Sequence, residues 1–522
     1  MADHDHPAAG AAAPPPGGAP VVIGVPGLQA IIDALRGQGF TVIGPTRRDG
    51  AITLAEIAGV GDLPAGCGDE QDAAHYRLRE RGDEALFGFA ATAQSWKSIL
   101  FPAREVVWSG ERDGPGFAIR PGDPGAPRYA LLGVRSCDLH AIGIHDAILL
   151  GRGFTDAAYA ARREGTFIIA VGCSHPGGTC FCVSMGTGPR PEAGFDLSLT
   201  ELLDADGHRF VASAGSSRGD ALLRSLPPGA AATAAGPADL AAADDVLARA
   251  AASMGRELDT SGIRDLLYDN AEHPRWDDVA SRCLSCTNCT LVCPTCFCVS
   301  MEDVTDLTGE HAERHRVWES CFTSEHSHLS GGSVHGSTRS RYRQWMTHKL
   351  ASWIDQFGMS GCTGCGRCIT WCPAAIDITE EAAALRTPPP PRAPAPGDDV
   401  EMLRRAALPE QVLAGPDVLV DGAAGQVVDG GGVQVGEERV IRQVVGDGPH
   451  LHGACLPVWS RPGPSGASGA AARGGGGVRR AAASSVMSIA AGHQVMQRPQ
   501  PVQPDMPNWS IQEASLWVIH CR

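Results

Sequence analysis

Two runs of cysteines are the residues in this sequence whose types and spacing most clearly indicate chemistry. The first run, CLSCTNCTLVCP, spans 283–294, and the second run, CTGCGRCITWCP, spans 362–373. Both fit Cys-x2-Cys-x2-Cys-x3-Cys-Pro, in which a tight loop directs three sulfurs to three corners of a metal cluster and the fourth, about one helical turn later, points away. The proline lacks an N–H group and ends the helix there. This spacing is typical of ferredoxins that hold two 4Fe-4S clusters.

The fourth cysteine of each run in such ferredoxins binds the cluster of the other run, so we predict two 4Fe-4S clusters with exchanged ligands. The first ligand set consists of Cys283, Cys286, Cys289 and Cys372. The second ligand set consists of Cys362, Cys365, Cys368 and Cys293. Zinc is the alternative, but a zinc knuckle closes with two cysteine pairs and would leave half of these sulfurs unused.

The heptapeptide TCFCVSM occurs twice, at 179–185 and 295–301, but the flanking sequences differ and do not indicate a duplicated domain. The first copy belongs to a further group of cysteines, for which a third iron–sulfur cluster or a zinc ion is one interpretation and buried unligated thiols are the other. This group consists of Cys137, Cys173, Cys180 and Cys182. The cysteines that remain near the second copy are interpreted as packing residues, as neighbours that support a cluster, or as redox-active thiols. They are Cys296, Cys298 and Cys321.

The predicted secondary structure brings the N-terminal cysteines together at one edge of a sheet. YALLGVRS and TFIIAVGC are typical of buried strands, and DLHAIGIHDAILL between them predicts a helix with Asp138 as its N-cap. A strand–helix–strand unit of this kind forms parallel neighbours. Cys137 and Cys173 would then follow the carboxyl ends of adjacent strands, where open α/β sheets bind ligands.

The rest of the chain before the proline-rich segment divides into an α/β part and a helical part. GLQAIIDALRGQG and FTVIGP predict a helix followed by a strand. LSLTELLDADGHRFVASAG predicts two segments around an Asp-Gly turn, which would add an antiparallel edge to the sheet. Between the cysteine runs, EDVTDLTGEHAERHRVWESC and RSRYRQWMTHKLASWIDQFG both predict helices that would return the second run to the first.

We therefore expect an α+β protein, with an N-terminal α/β domain followed by a helical ferredoxin-like domain that holds two 4Fe-4S clusters. The expected segments are a disordered N-terminus (1–20), the α/β domain with a cysteine-rich loop (21–235), the helical dicluster domain (236–386), a proline-rich linker (387–398) and a low-complexity tail (399–522). The tail is interpreted as an irregular or disordered extension, or as the product of a shifted reading frame.

The composition narrows the class of protein further. The 522 residues carry a formal charge of -16, which argues against a general binder of nucleic acids or anionic membranes. The N-terminus lacks a basic segment followed by an apolar one, and no run of 18 apolar residues occurs, so we expect a cytoplasmic protein without membrane insertion. Eighteen cysteines in a reducing compartment are typical of metal or redox sites rather than of disulfides.

Several stretches of this sequence resemble a known family. The C-terminal stretches are CLSCTNCTLVCPTCFC, WESCF, RYRQWMTHK and GCTGCGRCITWCPAAIDITEE, and the N-terminal ones are HYRLRERGDEALFGFA, SWKSILFP, GVRSCDLHAI and GTCFCVSMGTGPRPEAGFDLSLTEL. Over residues 21–386 the chain resembles the 4Fe-4S dicluster proteins, which include the beta subunit of sulfhydrogenase, a soluble nickel–iron hydrogenase, and one of the subunits of anaerobic sulfite reductase. The resemblance also favours a functional role for the four N-terminal cysteines.

The resemblance implies an electron-transfer subunit of an oxidoreductase complex. Because the sequence has eight cluster thiolates and no motif for substrate chemistry, we expect the chain to have no substrate pocket of its own. Its expected partners are a flavin-containing NAD(P)H-oxidoreductase subunit and a catalytic hydrogenase or sulfite reductase subunit. One alternative is a thiol–disulfide catalyst of the heterodisulfide reductase type, in which Cys296, Cys298 or Cys321 contacts substrate beside a cluster. Another is an iron–sulfur redox sensor, which would need the tail to fold and bind an effector.

Overall fold

The computed structural model describes residues 18–388 except 124, 126, 152 and 231. Apart from a few residues, the predicted N-terminal disorder, linker and tail lie outside these ranges. The strands are β1 (Val21–Gly24), β2 (Thr41–Arg48), β3 (Ala51–Glu56), β4 (Cys67–Asp72), β5 (His75–Glu80), β6 (Arg104–Asp113), β7 (Gly116–Pro121), β8 (Tyr129–Val134), β9 (Phe167–Val171), β10 (Leu197–Asp204), β11 (Gly207–Ala214), β12 (Thr233–Ala234), β13 (Val299–Thr305), β14 (His311–Trp318), β15 (His328–Leu329) and β16 (Gly332–Ser333).

The helices lie on the sheets and, after β12, provide most of the regular secondary structure. They are α1 (Val25–Gly37), α2 (Lys97–Leu100), α3 (Ser136–Leu149), α4 (Ala157–Glu164), α5 (Ser217–Arg224), α6 (Pro237–Ala252), α7 (Ile263–Asp269), α8 (Arg275–Arg282), α9 (Asn288–Leu291), α10 (Thr338–Thr347), α11 (Trp353–Phe357), α12 (Arg367–Thr370) and α13 (Ile378–Leu385). Short 3-10 helices span Val60–Asp62 and Pro228–Ala230, and a π-helical segment, His348–Ser352, joins α10 to α11. Of the helices described, none is both long and apolar enough to cross a membrane.

The largest sheet has eight strands in the order β12-β1-β11-β10-β9-β8-β2-β3. Its centre is parallel, because β8 pairs in parallel with both β2 and β9, and β9 with β10. Both faces are covered by apolar side chains: Leu28 and Ile169 belong to one cluster, and Leu139 and Ile168 belong to another. This double burial explains why the FIIAV sequence of β9 is apolar throughout. The predicted unit of β8, α3 and β9 is confirmed.

Helix α3 begins differently from the prediction. It starts at Ser136, with Arg135 at the N-cap position, so Asp138 lies in the first turn. The Asp138 carboxylate instead accepts two hydrogen bonds from the guanidinium of Arg367, at 2.9 and 3.1 Å. The N-cap prediction is wrong because the partner of this carboxylate is distant in sequence.

The Asp-Gly hairpin is present but does not form the edge of the sheet. β10 and β11 pair antiparallel across the turn at Gly207, which has a φ of 103°. β1 then pairs with β11, and β12 pairs with β1. The predicted edge is wrong because the short apolar stretch VVIG at the start of the described chain forms an additional strand.

The segment between the cysteine runs is half strand and half helix. α10, the π-helical segment and α11 confirm the second predicted helix. The first is wrong, because β13 and β14 form an antiparallel hairpin whose turn is closed by Asp306, which accepts from the amide of Glu310, and by Gly309 with a φ of 70°. β14 also pairs with β6, so the four-stranded sheet β13-β14-β6-β7 joins distant parts of the sequence.

The two copies of TCFCVSM occupy different environments. Phe181 of the first copy is buried in the aromatic core of the helical part, together with Trp276 and Trp345. Phe297 of the second copy packs against the apolar cluster beside the large sheet and contacts the ring of Trp353. Each copy thus packs its phenylalanine into a different core, which agrees with their unrelated flanking sequences.

Candidate metal centres

The first ligand set surrounds one pocket. All four of its cysteines line a cavity of about 460 Å³, which includes the part open to solvent. Cys283 ends α8, and the loop that follows turns sharply, since Ser285 and Thr287 both adopt positive φ angles. Cys372 enters the same pocket from the second run. Three cysteines of the first run and two of the second therefore border a shared space, because Cys368, which belongs to the second ligand set, also lines this pocket.

The pocket of the first ligand set has apolar walls. Buried Phe322, Tyr342 and Trp345 line it, and Ile376 and Ile378 close one side. Burial raises the pKa of Cys289 well above its usual value, and the charges of neighbouring thiols raise it further. Thiols in such surroundings lose their protons when a metal binds them. Of the five cysteines around this largely apolar cavity, the four of the first ligand set would supply the donors that a 4Fe-4S cluster requires.

The second ligand set gathers around Cys293. Burial raises the pKa of each second-run cysteine in this set, and the charge of Cys293 raises it further; these cysteines are Cys362, Cys365 and Cys368. For Cys372, by contrast, burial and then the charges of Cys286 and Cys283 raise the pKa. The fourth cysteine of each run is thus coupled electrostatically to the other run. The exchange of ligands itself stays a prediction.

A lysine that the sequence interpretation missed lies beside the second ligand set. Nζ of Lys349 donates to Cys293 Sγ at 3.1 Å and to Thr295 Oγ1 at 3.0 Å, and its residue is 5% exposed. The nearby thiols, Cys293 first, outweigh burial and hold the Lys349 pKa well above its usual value. Periodicity could have found it, because Tyr342, Trp345, Met346 and Lys349 have the spacing of one buried helix face.

A buried ion pair holds the second run against α3. Arg367, within the motif CGRC, is 2% exposed, and its Nε donates to the carbonyl of Thr92 at 2.6 Å. Its remaining nitrogens form the two bonds to Asp138 described above. A two-point guanidinium–carboxylate contact fixes both position and orientation. The loop of the second ligand set is therefore fastened to the α/β part.

The N-terminal group of four cysteines lies next to the same loop. Cys137 is in the first turn of α3, and Cys173 follows β9, as predicted. Cys137 and Cys182 pack against Cys365, and Cys180 Sγ is 3.8 Å from the carbonyl oxygen of Cys365. Within the described ranges, no three His, Cys, Asp or Glu side chains are grouped to bind a single metal ion. A 4Fe-4S cluster binds each thiolate at a different iron.

The cysteines near the second heptapeptide copy are partly buried and do not resemble activated nucleophiles. Burial raises the pKa of Cys298, and burial together with the charge of Cys298 raises the pKa of Cys321 to about 12. A reactive cysteine needs a lowered pKa. Lys97, also missed from the sequence, donates to the carbonyls of Leu291 and Cys296, and burial lowers its pKa to about 8.

The comparison with known proteins agrees with this site. The sequence model of the 4Fe-4S dicluster domain matches residues 282–376, which contain both runs. The chain is similar to sulfhydrogenase 2 subunit beta of Pyrococcus furiosus, with 33% identity over 262 residues, which make up 48% of this chain and 72% of that protein. An alignment of this identity over most of the relative extends well beyond the cysteine runs. The chain belongs to the 4Fe-4S dicluster family that includes the sulfhydrogenase beta subunit.

Proposed function

We propose that this protein is an iron–sulfur electron-transfer subunit that holds one 4Fe-4S cluster on each ligand set. The observation that carries the proposal is the arrangement of eight thiols, in which the last cysteine of each run lies with the other run. The chemistry of a bound cluster would be the uptake and release of single electrons. Family membership supports the same role.

The described residues would assist this role in three ways. The thiols would bind iron, and the apolar side chains of Phe322, Tyr342 and Trp345 would shield one side of the first ligand set from water. Lys349 donates to a sulfur of the second ligand set and offsets negative charge there. Hydrogen bonds to sulfur, net charge and solvent exposure set cluster potentials, so the two sites are built for different potentials.

The partners are proposed from the name of the relative, which is a subunit of a hydrogenase-type complex. We propose that electrons pass between a flavin-containing NAD(P)H-oxidoreductase subunit and a catalytic subunit of the hydrogenase or sulfite reductase type. We also propose a cytoplasmic location, where free thiols stay reduced until they bind iron. Copurification of the tagged chain from its own cells, with identification of the bound subunits, tests these partners.

Metal analysis tests the proposed cofactor. After anaerobic purification, the full chain is expected to contain at least about eight irons and eight sulfides, and dithionite is expected to reduce its clusters reversibly. Serine variants of Cys286 and Cys365 are each expected to lose about four irons. Zinc without sulfide would contradict the proposal.

The structure lends less support to a thiol–disulfide catalyst. The thiols of Cys298 and Cys321 have raised pKa values because of burial, which is opposite to the requirement for nucleophilic attack. The isolated chain is therefore expected to show no disulfide reductase activity that depends on these two cysteines. The sensor interpretation concerns the tail, which lies outside the described residues.

A further inference from the structure

Four thiols meet beyond the carboxyl ends of β8 and β9, outside both ligand sets. We infer that Cys137, Cys173, Cys180 and Cys182 hold a third 4Fe-4S cluster. The site would adjoin the second ligand set, and it would extend the proposed relay to the large sheet. The inference adds a site to that relay and does not depend on the exchange of ligands between the two runs.

The four cysteines come from segments that are distant in sequence and converge at one edge of the sheet. Cys137 comes from α3, Cys173 from the end of β9, and the other two from the loop that follows. Cys137 and Cys182 pack together with Cys365, and the charges of Cys173 and Cys182 both act on Cys180. Parallel strands bring these distant segments to one edge, which is the usual ligand position in an α/β sheet.

Backbone amides two residues after a cysteine act on sulfurs in all three cysteine groups. The amide of Ser285 donates to Cys283 Sγ at 3.4 Å, and the amide of Gly364 donates to Cys362 Sγ at 3.5 Å, each two residues after the cysteine. The amide of His175, at the same two-residue offset, lowers the pKa of the Cys173 thiol, although burial raises that pKa overall. Amide hydrogen bonds to sulfur are among the features that tune iron–sulfur clusters. The Cys173 turn therefore repeats a feature of the two run loops.

A buried arginine acts electrostatically on one of these thiols. Arg135 is 4% exposed, and its guanidinium donates to the carbonyl oxygens of Gly172, Phe87 and Phe89. These bonds are to neutral groups, and the charge of Arg135 acts on the Cys173 thiol. A buried cation is stabilised by an anion nearby. The carboxyl of Asp69, which is buried, interacts electrostatically with both Arg135 and Cys173, and thiolates bound to iron would add further negative charge there.

The loop that carries Cys180 and Cys182 is closely packed. A side chain at Gly188 would place its Cβ 3.2 Å from Cys182 Sγ and 3.3 Å from Cβ of Ser136. Thr187 Oγ1 donates to the carbonyl of Thr363 at 2.7 Å, which ties this loop to the second run. The sulfur of Cys182 is therefore held in place by close packing and by contacts with a loop that carries cluster ligands.

Iron and sulfide counting on the full chain tests the inference. Under anaerobic reconstitution with iron and sulfide, the unaltered chain is expected to hold about twelve of each, and the double variant Cys180→Ser/Cys182→Ser about eight. The matched control is Cys67→Ser, because Cys67 is another buried thiol of the α/β part that belongs to none of the three groups. The control is expected to keep about twelve irons.

The outcomes separate this inference from the proposed function. About eight irons in the unaltered chain, with no loss in the double variant, would overturn the third cluster and leave the two-cluster relay standing. About eight irons with one zinc that is lost in the double variant would overturn it in favour of a zinc site. If the double variant fails to fold, the count for the unaltered chain decides alone: about twelve supports the inference and about eight overturns it. An absence of iron would contradict both proposals.

Discussion

The two ligand sets have matching cysteine spacing but different surroundings. The first borders a pocket that opens to solvent and has an aromatic wall, whereas the second lies between Lys349 and the ion pair of Arg367 with Asp138. Sequence spacing decides that a cluster can bind, but residues far away in the chain decide its charge and its access to solvent. We therefore expect the two clusters to respond differently to the same kind of change.

The largest effect is expected from replacing one cluster ligand by serine. Cys293→Ser should perturb the cluster of the second run and spare that of its own run, because Cys293 lies with the second-run cysteines. Cys372→Ser should do the reverse. Paramagnetic resonance during a redox titration measures which cluster has changed.

Two reference variants identify the clusters in that experiment. Cys286→Ser marks the first ligand set, and Cys365→Ser marks the second. A spectrum of Cys293→Ser that matches that of Cys286→Ser would show that ligands are not exchanged. Each cluster would then be assigned to the four cysteines of a single run.

A smaller effect is expected from breaking the ion pair behind the second ligand set. Asp138→Asn leaves the buried guanidinium of Arg367 without its anion, which should cost about 3–5 kcal/mol of stability. Loss of cluster absorbance in urea, measured anaerobically, should occur at a lower denaturant concentration and begin with the second-run cluster. Asp244→Asn is the control, since its pair with Arg190 is exposed and is expected to contribute about 0–1 kcal/mol. Equal shifts in both variants would argue against a structural role for the buried pair.

Lys349→Met should alter the potential of the second cluster. Removing a buried cation beside Cys293 disfavours the reduced, more negative cluster, so its potential should fall by about 60 mV, equivalent to a tenfold change in the one-electron equilibrium. A redox titration followed by paramagnetic resonance measures both clusters in one sample. A larger shift in the first cluster would contradict the assignment of Lys349 to the second.

The smallest effect is expected from Arg341→Met. The charge of Arg341 acts on Cys283 of the first ligand set, but its side chain is only partly buried. The first cluster should shift to lower potential by less than the second does in Lys349→Met, and added salt should weaken the effect because it screens exposed charges. A shift that is independent of salt would indicate that the two sites are equally enclosed.

Local patterns were sufficient for much of the fold and for the positions of the candidate ligands. The βαβ unit and α10 follow from hydrophobic periodicity, and the positions of Cys137 and Cys173 follow from the ends of their strands. The ion pair of Arg367 with Asp138 could not be predicted, because it joins residues 229 positions apart. Lys349 was predictable from its place on a buried helix face.

The β13–β14 hairpin was missed because a turn signal was read as part of a helix. Asp306 and Gly309 close the turn. β14 also pairs with β6, and no local sequence pattern indicates this second pairing. The contrast with α10 is physical: that helix is defined by contacts along one stretch of chain, whereas the hairpin is stabilised by a strand about 200 residues earlier.

The pairing of β14 with β6 also has a consequence for biosynthesis. The hairpin lies between the two cysteine runs, and its outer hydrogen-bonding edge is covered by a strand that leaves the ribosome much earlier. A fragment starting at residue 236 would expose that edge, and exposed edges promote aggregation. Recombinant work should therefore retain the N-terminal half when iron–sulfur loading is studied. During synthesis, β6 leaves the ribosome before the hairpin and is therefore available to pair with β14 as soon as that strand emerges.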